Sequence, residues 1–165
     1  LWQLSNEIDK LISAAGNSTI SKSSILELVT PSLSSSIFKL TDALAAKDRT
    51  GSLKIFSILV ESGEEPLMIF YMIVRHFRIL IQAKYLVDHG ITDQSSIASE
   101  LKCHPFVAMN AGKQSRNFDM QTLKKIYAQL LELDKSFKSG RVKITADDPS
   151  EMLLEIERFI IKNCE

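Results

Sequence analysis

Two cysteines in a chain of 165 residues are too few to staple a fold, and neither Cys103 nor Cys164 sits at a metal-ligand spacing. The expectation is reduced thiols in a cytosolic protein. Proline and glycine are sparse, at four and six, and the apolar–polar alternation of a half-buried strand is hard to find. Together these absences exclude a disulfide scaffold and point to an all-α protein. An excess of one charge is missing too, because Lys+Arg and Asp+Glu both total 20. An autonomous nucleic-acid binder usually carries a basic surplus, since phosphate neutralisation supplies most of its non-specific affinity. No secretory signal is visible. The apolar run Leu67–Val74 is too short to span a bilayer and is followed directly by Arg75 and Arg78, so no membrane partner is expected.

What is present is ordinary core material, 45% hydrophobic and 24% charged, enough for one domain or one domain and part of another. The charge is unevenly placed. Lys113 to Lys143 holds eight basic and three acidic residues, whereas Ile144 to Glu165 holds two basic and six acidic. These opposite segments are expected to meet within the molecule or on a partner.

Helical periodicity organises the chain. Leu1, Leu4, Ile8, Leu11 and Ile12 recur at helical spacing and stop at Gly16. Leu1 lies inside that pattern without a preceding Met, which reads as a fragment of something longer. A short helix follows over Ser21 to Val29. Pro31 and the serines 34–36 then break the pattern and mark the expected domain boundary, dividing residues 1–34 from 35–165. Ile37, Phe38, Leu40, Thr41 and Leu44 start the next helix. Asp48 is placed to cap another, with Leu53, Ile55, Phe56, Leu59 and Val60 inward. Gly63 suits a left-handed helix end and Pro66 a first helical turn. The helix from Pro66 to His89 is apolar on nearly every side over its first half, as expected of the central strut of a bundle. Gly90 ends it. Helices over Asp93–Leu101, Pro105–Ser115, Met120–Lys138 and Pro149–Asn163 complete the chain.

Chemistry-bearing motifs are scarce. Gly112-Lys113-Gln114-Ser115 fails as a phosphate loop, because Val107 and Gln114 stand where glycine and Ser/Thr are needed and no strand precedes it. His76, His89 and His104 lack metal-ligand spacing, and His76 reads as a hydrogen-bonded structural histidine. No serine lies in a nucleophile elbow. Neither a catalytic residue, nor a metal site, nor a cofactor is expected. Asn17-Ser18-Thr19 reads as a turn. Ser95–Ser115 resembles a helix-turn-helix with Ile97, Ala98 and Leu101 inward, so a DNA-binding regulator is the alternative reading. Lys102 in place of the turn glycine, and Ala108 in place of a larger aliphatic, weaken it. Asp134 and Lys138 form a favourable i,i+4 pair. Arg75 and Arg78 lie beside a large apolar surface, and guanidinium groups favour subunit interfaces. They would either meet a partner or pair with the acidic final helix.

Several segments together resemble the delta subunit of the bacterial DNA polymerase III clamp loader. They are LSNEIDKLISAAG, SIFKLTDALAAKDRTGSLKIFSIL, EEPLMIFYMIVRHFRILIQAKYL, HPFVAMNAGKQSRNF and LLELDKSFKSG. The family pattern falls on Glu65, Pro66, Arg75, Phe77, Arg78 and Lys84, then His104, Pro105 and Phe106, and lastly Asp134, Lys138 and Gly140. The stretch between Gly140 and the last helix is longer than the family's compact linker. The resemblance implies that residues 1–34 end an AAA+-type lid domain and that residues 35–165 form the helical collar, which associates with the collars of other loader subunits. It also implies cytoplasmic location and DNA met only indirectly, through the complex. The sliding clamp would be reached only by a region N-terminal to this chain, and any nucleotidyltransferase role would come by association with the polymerase holoenzyme. The surplus around Phe70, Ile73, Phe77 and Ile81, rimmed by Arg75 and Arg78, is expected to support collar packing or subunit contact.

Overall fold

The computed structural model describes residues 2–16, 18–29, 33–145 and 148–164, without the side chains of residues 3, 26, 27, 33 and 34. Every regular element among them is helical. The chain divides into two compact units, Leu1–Ser32 and Leu33–Glu165.

The first unit pairs α1 (Trp2–Ala15) with α2 (Lys22–Leu28). Gly16 ends α1 at φ +55. The Ser21 hydroxyl caps α2 by accepting the Ser24 N–H at 3.1 Å, satisfying one of the donors a helix start leaves open. Lys10 bonds Glu7 at 2.8 Å and the Leu28 carbonyl at 3.1 Å. Leu11 is buried, while Leu4, Ile8 and Ile12 are exposed.

The second unit is a bundle of seven helices and one 3-10 turn: α3 (Leu33–Ala45), α4 (Arg49–Glu61), α5 (Pro66–Asp88), α6 (Gln94–Leu101), α7 (Pro105–Gln114), the turn Ser115–Asn117, α8 (Met120–Lys138) and α9 (Ser150–Asn163). The expected break at serines 34–36 does not occur, because α3 already runs from Leu33. Serine is only a modestly poor helix former, and burial of Ile37, Leu40 and Leu44 rewards extending the helix. Thr41 stays satisfied inside α3 by bonding the Ile37 carbonyl at 2.8 Å. Pro31 lies outside the described residues.

Acidic caps and left-handed ends set the other boundaries. Asp48, Asp93 and Asp119 accept the N–H groups of Gly51, Ser96 and Thr122 at 2.8, 2.9 and 2.7 Å. The Asp48 carboxylate lies so close to Gly51 that a Cβ there would collide with it. The bonds accepted by Asp93 and Asp119 hold both carboxyls below the usual carboxylate range. Gly63 takes φ +83, a conformation glycine reaches without steric penalty.

In this bundle α5 is the helix that its neighbours surround. It meets α3, α6, α7, α8 and α9. Its Phe70 ring packs edge-on to Phe137 of α8 at 4.9 Å. Phe77 meets Phe118 at 6.2 Å and Phe159 of α9 at 6.4 Å. Leu123, Leu130, Met152 and Ile156 fill the same core. By length and composition α5 could cross a membrane, yet its apolar face is spent on this core.

Candidate subunit-interaction site

Helix α5 carries two faces with opposite fates. Phe70, Ile73 and Phe77 point inward and are buried to 1%, 1% and 0% exposure. They are not free for another subunit: of the two expected roles, collar packing or subunit contact, these three side chains take packing within the bundle. The reason is that α8 and α9 supply enough aromatic surface to cover them. Ile81 is half-buried on the flank of α5. Tyr71, Arg75, Arg78, Gln82 and Tyr85 recur at helical spacing on the outer stripe, and all are exposed.

Arg75 and Arg78 form no ion pair among the described residues. Their pairing with the acidic final helix therefore does not form. Helix α9 meets α5 through Phe159 against Phe77, on the buried face. Two of its acids are engaged locally, Glu155 with Arg158 at 2.5 Å and Glu151 with the Lys143 N–H at 2.8 Å. Among the described residues no ion pair joins the basic segment Lys113–Lys143 to the acidic segment Ile144–Glu165; the Glu151 carboxylate accepts only the Lys143 backbone N–H between them. Arg75 is near enough to Cys103 for its charge to oppose the upward push that burial gives that thiol.

The remaining family-pattern residues serve local structure. Glu65 precedes α5 without a side-chain cap, and Pro66 takes the first turn. Lys84 bridges to Asp88 at 2.9 Å. The His104 Nδ1 accepts the Phe106 N–H at 3.2 Å, and Pro105 opens α7. Phe106 is exposed and stands edge-on to Phe38 at 5.9 Å. Asp134 accepts from Lys138 at 2.8 Å and from the Tyr71 hydroxyl at 3.3 Å. Gly140 closes α8 at φ +72.

His76 is the structural histidine its setting in the apolar helix suggests. It is buried and its Nε2 lies 2.7 Å from Gln114 Oε1. The Gln114 amide donates to Asp42 at 2.7 Å and to the Phe38 carbonyl at 3.3 Å, so one side chain ties α3, α5 and α7. With the amide oxygen accepting, Nε2 carries the proton. Burial holds the imidazole pKa below its ordinary value, against the opposing pull of Gln114 and Asp42. Sequence reasoning met Gln114 only as a failed phosphate-loop position.

The corner of α6 and α7 has the expected inward residues Ile97 and Ala98, with Leu101 half-buried. Lys102 supplies the left-handed turn at φ +48, and Ala108 is fully buried because α7 packs close. Of the polar groups that a recognition helix at α7 could offer to DNA, His104 is engaged as a cap and Asn110 is half-buried, leaving Lys113 exposed. Among the described residues no three His, Cys, Asp or Glu side chains gather as metal ligands.

Residues 34–156 match the family model of the DNA polymerase III delta subunit, C-terminal domain. The chain is 37% identical over 142 residues to DNA polymerase III subunit delta of Bacillus subtilis (strain 168), covering 86% of this chain and 41% of that protein. The solved structure of the Bacillus subtilis DNA clamp loader delta protein superposes with a TM-score of 0.81 at 34% identity. That match covers 96% of this chain and 44% of the other. The chain spans less than half the length of these relatives. A helical bundle of this architecture and a family match running through most of it lead to one assignment: the chain belongs to the family of DNA polymerase III delta subunits and contains their C-terminal domain.

Proposed function

We propose that this chain is the assembly module of a clamp-loader delta subunit. Residues 35–165 act as a collar that joins the collars of other loader subunits, and residues 1–34 end a lid domain of AAA+ type. The match of residues 34–156 to the delta C-terminal domain is the observation that carries this reading. Physical chemistry supports it. The exposed arginines Arg75 and Arg78 have no ionic partner among the described residues, and guanidinium groups without internal partners suit a subunit contact. Ile81, half-buried beside them, adds apolar area. In this reading the protein works in the cytoplasm, meets DNA through the complex, and reaches the sliding clamp through a region N-terminal to this chain. The polymerising chemistry of the holoenzyme lies in other chains.

Light scattering on a sizing column tests the proposal, with the polypeptide alone and mixed with the purified remaining loader subunits. Incorporation into a stoichiometric complex is expected. A polypeptide that elutes unchanged in the presence of those subunits would overturn the reading.

A further inference from the structure

Helices α5 and α8 lie side by side in opposite directions. Tyr71 of α5 meets Asp134 near the end of α8. Ile81 and Tyr85, further along α5, border Met120 and Lys124 at the start of α8 around a cleft of about 520 Å³. On α8, Leu131 shares the helical stripe of Lys124 and Asp134 and is 51% exposed. Glu100 and Leu101 of α6 close one side of this cleft. From it a shallow two-helix face runs back along α5 and α8, with exposed Tyr71, Leu131 and Tyr85 and the exposed cations Arg75, Arg78 and Lys124. Arg75, Arg78 and Lys124 make no ion pair among the described residues. The acid Asp134 is already held by Lys138, and Glu100 stands at one edge of the cleft. The uncompensated charge of the face is positive.

Resting on the assembly role argued above, we propose that this groove seats an acidic amphipathic helix from another subunit of the assembly. Carboxylates of that helix meet Arg75 and Arg78, and its apolar side chains lie on Tyr71, Leu131 and Tyr85. Charge complementarity selects an acidic occupant, because guanidinium groups bind carboxylates bidentately and lose little hydration in doing so. The groove between two helices selects a helical one, whose anchors recur every three to four residues. A nucleic acid fits less well. Phosphates would leave the apolar groove uncovered. Tyr71 and Tyr85 stand about 21 Å apart along the helix axis, too far to stack neighbouring bases of one strand.

Two measurements on the polypeptide reconstituted with the purified remaining loader subunits decide the matter. With p-benzoylphenylalanine in place of the exposed Tyr85, irradiation is expected to link it to an Asp/Glu-bearing helical segment of another subunit, identified by mass spectrometry. The double variant Arg75→Glu, Arg78→Glu is expected to retain its helical circular dichroism and to join the complex at least ten-fold more weakly. Cross-links confined to this chain or to a segment without carboxylates would overturn the proposal, as would unchanged affinity of the double variant. Normal assembly with any of these outcomes refutes the groove alone. Failure of the unmodified polypeptide to assemble refutes the assembly reading and the groove with it.

Discussion

The second unit contains two apolar cores built on different scales. The larger one interleaves Phe70, Phe77, Phe137 and Phe159 with leucines and isoleucines drawn from α3, α4, α5, α8 and α9. The smaller one, at the α6–α7 corner, has only Ile97, Ala98 and Ala108 fully inside, flanked by half-buried Leu86, Val87 and Ile91. Apolar burial scales with area, so the large core supplies most of the stability. The corner takes its shape from polar and backbone devices: the Asp93 cap, the Gln94 amide on the Pro105 carbonyl at 3.0 Å, and Lys102 in a left-handed turn. The lesson is that two regions of one bundle can be specified by different physics.

Breaking the large core is expected to have the greatest effect. Phe77→Ala should lower the unfolding free energy by about 3–5 kcal/mol, read from the denaturant midpoint. Ile97→Ala, in the small core, should fall near the bottom of the ~2–5 kcal/mol range for such truncations, because a thin cluster can collapse onto the cavity. Hydrogen exchange would show the loss concentrated in α6 and α7. Equal effects at the two positions would erase the distinction between the cores.

The third test concerns the tie between the corner and the strut. His76→Leu leaves the Gln114 oxygen without its donor and should cost about 1–3 kcal/mol. It should also change the pH dependence. The folded state holds His76 neutral below its ordinary pKa of 6.5, so only the unfolded chain takes up the proton as pH falls past that value. The native protein therefore loses stability as pH drops below about 6.5. His76→Leu should flatten that slope between pH 7.5 and 5, measured by thermal melts. The depressed carboxyls Asp93, Asp119 and Asp148, with ordinary values of 3.8, and Glu132, with an ordinary value of 4.5, contribute their loss at lower pH, below most of this window.

Smallest is the corner's backbone. Lys102 holds φ +48, so Lys102→Gly should stabilise by about 0.5–1 kcal/mol, the strain of a left-handed residue offset by the greater freedom of unfolded glycine. A destabilised variant would mean that the lysine side chain, not the turn, fixes the corner.

Much of this was legible in the residues. Helix ends could be read wherever a short acid, a glycine or a proline encodes a cap, as at Asp48, Gly63, Pro66 and Gly140. The start of α3 was not legible, because serines 34–36 carry no local signal that outweighs the burial of Ile37 and Leu40. The buried faces of α8 and α9 followed from periodicity. For α5 periodicity was silent: a helix apolar on most sides does not say which residues its own bundle will cover. Phe70 and Phe77 therefore read as surplus, although α8 and α9 enclose them. The Gln114 tie was invisible for another reason. Its partners lie 38 and 72 residues away, and no local pattern records so distant a bond.

Helix α5 spans 23 residues and is long and apolar enough, by length and composition alone, to cross a membrane. During synthesis, before α8 and α9 exist to cover it, such a segment is a candidate for mistaken insertion into a bilayer. Arg75 and Arg78 sit near its midpoint, where each arginine adds roughly 2.5–3.5 kcal/mol to the free energy of insertion. The same pair that faces outward in the folded bundle thus steers the nascent helix away from lipid. Arg75→Leu with Arg78→Leu should send newly made chains into the membrane fraction.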